Sequence, residues 1–253
     1  MTFTVLASCK ETSQVGIGIA TASIAVGGLC PFYTDAGDII TSQAFARPEL
    51  GLAVMRHLQN RSALSELDAL VAQADEHLSY RQIAVLTRDA RMWIHTGTDC
   101  RPWCGHKTAE DFTVMGNFLA GSHVVDAMAS ACRESASEPL AERLLRTLEA
   151  GRDAGGQADA NGRHTRERSA AIRVVGSTDT SLVHDAAVAS VDLRIDLHAD
   201  AVTALRELHN VCAKVPSYNA LRSSRPGSTP ALGAWEAEHM GDPSPPSVLD
   251  GDS

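Results

Sequence analysis

The chain reads as an α+β protein in which antiparallel sheets are covered by pairs of helices. Three observations predict this. Strand-like runs with period-2 alternation come in groups, helical segments come in pairs, and no internal repeat recurs at a period of 20–50 residues. A doubly wound parallel sheet would alternate one strand with one helix. The order here is strands, two helices, strands, two helices, strands, helix, which suits two antiparallel sheets packed together with helices outside.

Each element has its own justification. Residues 2–8 alternate and are β-rich, residues 10–14 form a polar turn, and residues 15–21, VGIGIAT, are the partner strand. Gly16 and Gly18 in that run call for a close approach to the backbone. The hairpin is expected in the middle of a sheet. Residues 25–38, rich in glycine and containing Pro31, are expected to be irregular, and residues 38–43 a short strand. Pro48 suits the first turn of a helix running to about residue 58. Ser62 is placed to cap a second helix with Leu64, Leu67, Leu70 and Val71 on one face. Strands follow at 81–88 and 91–96, joined by a tight Asp89-Ala90 turn, and at 112–117. Helices are expected at about 122–133 and 139–150, the second striped by Leu140, Leu144, Leu145 and Leu148 and stopped by Gly151. A polar loop, 152–168, precedes strands at 169–176 and 189–195 and a last helix at about 200–214. Beyond residue 216 the composition turns to Ser, Pro, Gly and acid. The folded domain is therefore placed at 1–216 and a disordered tail at 217–253.

Composition narrows the function. With 253 residues and 44% hydrophobic content, the chain can bury a substantial core. A net charge of -9 argues against a nucleic-acid partner, which needs clustered Lys and Arg. No apolar run reaches the roughly 18 residues of a membrane span, and the N-terminus lacks the basic and apolar regions of a signal peptide. A cytoplasmic protein is expected, with its six cysteines reduced.

Reactive residues concentrate in residues 95–121. His95, Cys100 and His106 are candidate zinc ligands, with Cys104 in reserve. Two imidazoles and a thiolate would leave a fourth position for water. The competing reading is a structural hairpin with two incidental histidines. Asn117, after Gly116, offers an amide for an oxyanion or a substrate carbonyl, or simply closes a strand-end turn. Arg81 and Gln82 open a strand and offer a fork for a substrate carboxylate, or form a solvated edge.

The segments MTFTVLASCKETSQVGIGIAT, SQAFARPELG, HTGTDC, GHKT, MGNFLAG, RSAAIRVV and VDLRIDLHAD, in that order, resemble one bacterial family, the domain of unknown function DUF1028. The resemblance covers residues 2 to about 208. It implies a four-layer α-β-β-α sandwich like that of the N-terminal nucleophile hydrolases. In those enzymes the first residue of the mature chain attacks an amide and its own α-amine is the base. Here that residue would be Thr2 after removal of Met1. The function implied is a small-molecule hydrolase cutting the C–N bond of an amide or cyclic amide. A zinc-dependent desulfhydrase or lyase acting on a thioamide or thiohydantoin-type ring is one alternative. A non-catalytic binding protein of the same fold is another. The expected partners are a small-molecule substrate and further copies of the chain, with no nucleic acid or membrane. Zinc is the one cofactor considered, and no organic cofactor is implied.

Overall fold

The sequence alternation at the N-terminus becomes the centre of the larger sheet. In the computed structural model, residues 1–101, 103–159, 161–176, 189–213 and 215–239 are described. The elements are, in order, β1 (Thr2–Cys9), β2 (Gln14–Thr21), α1 (Val26–Leu29), β3 (Pro31–Tyr33), β4 (Ile39–Ala44), α2 (Pro48–Gln59), α3 (Leu67–Ala74), β5 (Arg81–Leu86) and β6 (Met92–Thr96). Then come β7 (Gly105–Thr108), β8 (Phe112–Asn117), α4 (Ser122–Glu134), α5 (Leu140–Asp153), β9 (Gln157–Ala158), β10 (His164–Thr165), β11 (Ser169–Val175), β12 (Ala189–Ile195) and α6 (Ala201–Cys212). A six-stranded sheet runs β12-β11-β2-β1-β8-β7, and a four-stranded sheet runs β3-β4-β5-β6. Every pairing in both is antiparallel. The architecture is mixed α+β with antiparallel sheets, and the 2–21 hairpin lies in the interior of the larger one.

Strand alternation sorts most of the core into three clusters, beside a small one of Ile19, Val26, Cys30 and Ala171. Phe3, Val5, Val114 and Ile172 of the larger sheet pack with Val125 and Met128 of α4, Leu144 and Leu148 of α5, and Leu205 of α6. The opposite face of that sheet contributes Leu6, Ile17, Met115 and Val175, which meet Ile39, Ala84 and Leu86 of the smaller sheet. The far face of the smaller sheet, Ile40, Ile83 and Val85, packs with Leu50, Val54 and Leu58 of α2 and Leu67 and Val71 of α3. The two glycines of β2 have the role their spacing suggests. A Cβ on Gly16 would lie 2.8 Å from Leu144 Cδ1, and one on Gly18 3.3 Å from Leu148, so the glycines let α5 settle onto the sheet.

Several expectations are corrected. Residues 25–38 hold α1 and β3 rather than only irregular chain, because β3 finds a three-residue partner in β4. Ser62 caps nothing: a 3-10 turn, Leu64–Glu66, intervenes and α3 starts at Leu67. Gly151 lies inside α5, where a Cβ would sit 2.9 Å from Met128, so it serves helix packing and not termination. The polar 152–168 stretch contains the small β9–β10 ladder. Edge strand β7 escapes the sequence reading because it is short and mostly exposed, with no apolar alternation to reveal it.

The chain divides into compact units at Met1–Arg206 and Glu207–Ser253, earlier than the expected boundary at 216. The expected disordered tail is also corrected over its described part. The second unit contains α7 (Val215–Ser224), a 3-10 turn at Pro226–Ser228 and α8 (Leu232–His239). Tyr218 and Trp235 meet there as tilted rings with centroids 5.2 Å apart, and the Tyr218 hydroxyl donates to Pro230 O at 3.0 Å. Two aromatics in a Pro- and Ser-rich segment supply the apolar contact that average composition hides. Residues 240–253 of the expected tail lie outside the described residues.

Candidate functional site

The inter-sheet space changes character along β1. Leu6 faces apolar neighbours, whereas Thr4 and Thr2, on the same face by period-2 alternation, face polar ones. The same change occurs on β4 from Ile39 to Gln43, on β5 from Leu86 to Gln82, and on β8 from Met115 to Asn117. Thr4, Gln43, Gln82 and Asn117 are all fully buried.

These side chains form one hydrogen-bonded network. Gln82 Nε2 donates to the backbone carbonyls of Gly105, at 3.2 Å, and Gly116, at 3.1 Å, and reaches Thr96 Oγ1 at 3.1 Å. Carbonyls accept only, so they fix which end of the Gln82 amide is nitrogen. Gln82 Oε1 is thereby turned to accept from Gln43 Nε2 at 2.8 Å and from Asn117 Nδ2 at 3.0 Å. Gln43 Oε1 in turn accepts from the Thr4 hydroxyl at 2.6 Å. Asn117 Oδ1 is left buried with no partner, a deficit of about 1–3 kcal/mol for an orphaned polar group.

Thr2 stands beside that orphan. It is the Cα partner of Asn117 on one side and of Thr21 on the other. Its hydroxyl donates to Thr21 Oγ1 at 3.2 Å, and the Thr21 hydroxyl donates to the carbonyl of Met1. Burial lowers the pKa of the Met1 α-amine below its ordinary value, with Cys30 opposing the shift. Beyond Thr21, the amide of Ala22 donates to Gln157 Oε1 at 2.9 Å, and Gln157 Nε2 donates to the buried Glu167 at 3.2 Å. The β9–β10 ladder is thus tied to the same end.

The other sequence-derived candidates fall elsewhere. His95 lies on the face of β6 that packs toward α2 and α3, stacked on Trp93 with ring planes 14° apart, and its Nε2 bonds Leu78 O at 3.2 Å. His106 Nδ1 bonds Thr96 Oγ1 at 2.9 Å, and Thr96 is on the opposite face of β6. Burial, then the neighbouring His95, lowers the His106 pKa. Cys100 points its thiol at Arg81 O, 3.4 Å away, and burial followed by Cys104 pushes its pKa up to about 11. Cys104 donates to Cys100 O at 3.1 Å. Among the described residues no three His, Cys, Asp or Glu side chains are grouped to hold a metal ion. Alternation puts His95 and Thr96, the partner of His106, on opposite faces of β6, and Cys100, in the following connection, turns its thiol to Arg81 O.

Arg81 is also engaged. Its Nε donates to Asp75 at 2.8 Å and its Nη1 to Phe45 O, so its fork is occupied by the protein itself. Gln82 is the hub of the buried network and offers no exposed group. Both therefore position the site from within instead of presenting a fork to solvent. Thr4, Thr21 and Gln43 are absent from the sequence-derived set. Their signal was present as strand alternation in which the inward positions turn from apolar to Thr and Gln at one end.

A cavity of about 620 Å³ opens at the other end of the smaller sheet, lined by Asp38, Arg61, Arg88 and Arg91 among others. At the polar end, by contrast, Asn117 Oδ1, a buried acceptor left without a partner, lies beside Thr2.

The fold and site define a mixed α+β protein whose two sheets enclose a buried polar cluster at the start of a central strand. The chain belongs to the family of unknown function DUF1028, whose model matches residues 2–205. It is similar to the crystal structure of a DUF1028 protein from Silicibacter pomeroyi, at 29% identity and a TM-score of 0.70, with 84% of this chain and 89% of that one covered. A fainter likeness, 10% identity and a TM-score of 0.42 over 84% of this chain and 97% of the other, is to Anbu (ancestral beta-subunit) from Yersinia bercovieri. No curated protein matches the chain. Among the described residues no helix is long and apolar enough to cross a membrane.

Proposed function

We propose that the chain is a small-molecule hydrolase of the N-terminal nucleophile type, cutting the C–N bond of an amide or cyclic amide. Its architecture is then a four-layer α-β-β-α sandwich. The three apolar clusters, helix against sheet, sheet against sheet and sheet against helix, support that layering. The observation that carries the chemistry is the placement of Thr2 at the head of a central strand, between Thr21 and an Asn117 with an unpartnered acceptor.

While Met1 is attached, the Thr2 nitrogen is an amide and has no basic lone pair. Removal of Met1 converts it into an α-amine and frees Thr21 Oγ1 from the Met1 carbonyl. Asn117 Oδ1 then accepts a hydrogen from that amine, which aims its lone pair at the Thr2 hydroxyl. The hydroxyl proton passes to the amine as Oγ1 attacks the substrate carbonyl carbon. The second N–H of Asn117 Nδ2 faces the developing oxyanion. The amine returns the proton to the departing nitrogen, the C–N bond breaks, and a Thr2 ester remains. Water, deprotonated by the same amine, hydrolyses that ester. Burial lowers the α-amine pKa at Met1, the direction that favours a basic lone pair at this end of the strand.

The test is intact-mass and peptide mapping of the protein after exposure to a β-lactone acylating probe. The expected product is one acyl group on a mature N-terminal Thr2, forming faster as pH rises through the amine pKa. Retention of Met1 together with no acylation overturns the reading.

A further inference from the structure

We propose that Phe45, Tyr80 and Phe118, together with Arg101, form the recognition rim of this site, and that its substrate carries a flat conjugated ring and a carboxylate. The proposal rests on the reading that the buried polar end is the active end. It begins with where the rings come from. Phe45 follows Gln43 by two residues, Tyr80 precedes Gln82 by two, and Phe118 directly follows Asn117. Gln43, Gln82 and Asn117 are the three amides of the buried network. Three separate strand ends therefore each hold an amide inside and an aromatic ring beyond it.

The rings touch one another. Phe45 and Tyr80 meet edge to face at 5.6 Å between centroids, and Phe45 and Phe118 are 6.3 Å apart. Phe45 and Tyr80 nevertheless remain 39% and 42% exposed. A single exposed aromatic is ordinary; a contacting trio beside a buried orphan acceptor is a surface kept open for a ligand.

The backbone is bent to place them. Phe118 has φ 57° and Ala44, immediately before Phe45, has φ 73°. Both are left-handed conformations that a residue with a Cβ adopts at a penalty, and such positions gather at functional sites. Phe118 N donates to Arg101 O at 3.1 Å, which ties residue 101 to the same corner.

Arg101 supplies the charge. Its guanidinium lies 5.9 Å from the centre of the Phe118 ring and is exposed to solvent. Among the described residues no carboxylate pairs with it, Asp99 included, whereas nearby Arg47 and Arg81 both pair with the buried Asp75. In a chain of net charge -9 this unpaired cation favours an anion at one place. Ring faces reward a conjugated system over a saturated one, and a guanidinium fork rewards a carboxylate. The scissile amide would lie between them, turned toward Thr2.

Hippurate, N-benzoylglycine, joins a flat ring, an amide and a carboxylate and is the probe. Its binding to the full-length protein and to Thr2→Ala is measured by calorimetry and ligand-observed NMR. N-benzoylglycinamide, without the carboxylate, and N-cyclohexanecarbonylglycine, without the conjugated ring, are the comparisons. The expected result is that hippurate binds at least about fivefold more tightly than either analogue. Arg101→Gln should erase the preference over the glycinamide, and Phe45→Leu the preference over the cyclohexane compound. Absence of hippurate binding, equal binding of all three, or preferences unchanged in both variants overturns the proposal. Preferences intact in Thr2→Ala, in a protein whose Thr2 never acylates, support the rim while removing the hydrolase reading.

Discussion

The space between the two sheets is filled in opposite ways at its two ends. At one end Leu6, Ile39, Leu86 and Met115 interdigitate as an ordinary apolar core. At the other, the same strand faces present Thr4, Gln43, Gln82 and Asn117, equally buried but joined by hydrogen bonds. The apolar end is stabilised by removal of surface from water and needs no particular orientation. The polar end gains little net stability, since each bond replaces one to water, but it fixes the direction of every amide. The inter-sheet space thus separates cohesion from positioning, and Asn117 Oδ1, a buried acceptor without a partner, falls in the positioning half.

The largest effect should come at the head of the polar end. Thr2→Ala should eliminate acylation by a β-lactone altogether while leaving unfolding free energy within about 1 kcal/mol, as read by urea titration. A labelled Thr2→Ala protein would break the contrast, because the acylated group would then not be the proposed Thr2 nucleophile.

Next in size is a pair of substitutions two residues apart on the same strand face. Leu6→Ala should lower stability by about 2–5 kcal/mol through lost burial and a cavity. Thr4→Val, which keeps the volume but strips Gln43 Oε1 of its donor, should lower it by about 1–3 kcal/mol. A Thr4→Val loss exceeding that of Leu6→Ala would mean that the polar end is the main source of cohesion. At the helix-facing side of the same sheet, Gly16→Ala should cost about 1–3 kcal/mol, because the new methyl meets Leu144.

Acid sensitivity sharpens the comparison from outside the sheets. Burial by itself would raise the Asp75 pKa, but hydrogen bonds from Arg81 and the His77 amide, with the charges of Arg81 and Arg47, outweigh it and hold the pKa below its ordinary value. A depressed folded pKa gives stability that is present above the unfolded pKa and lost as pH falls through the folded one. Asp75→Asn should therefore flatten the acid limb of a stability-versus-pH curve, and an unchanged limb would remove Asp75 from the account. The smallest effect belongs to the surface: Lys10→Ala, breaking the exposed pair with Glu110, should leave the melting temperature unmoved within error.

The candidate site was only partly legible in the chain. Asn117 and Thr2 were both singled out and are cross-strand partners in the structure, but Gln43 and Thr21 went unremarked although their strands were found. The zinc trio shows the converse. His95, Cys100 and His106 are close in sequence, yet strand alternation turns His95 to the helix-packed face, away from Thr96 and its partner His106.

What the sequence determined by itself is the set of elements whose signals are local. Strand-like runs marked β1, β2, β5 and β8; Pro48 marked α2 and apolar stripes marked α3 and α5; and paired strands and helices marked the α+β class. These follow from side-chain periodicity, which depends only on neighbours along the chain. The tertiary structure alone decided which inward-facing residues share an end of the inter-sheet space, that Gly151 packs a helix crossing, that β7 finds an edge, and that Tyr218 and Trp235 meet in a segment of disorder-like composition. Those outcomes depend on contacts between residues far apart in sequence, where partner identity and register, not local pattern, set the free energy.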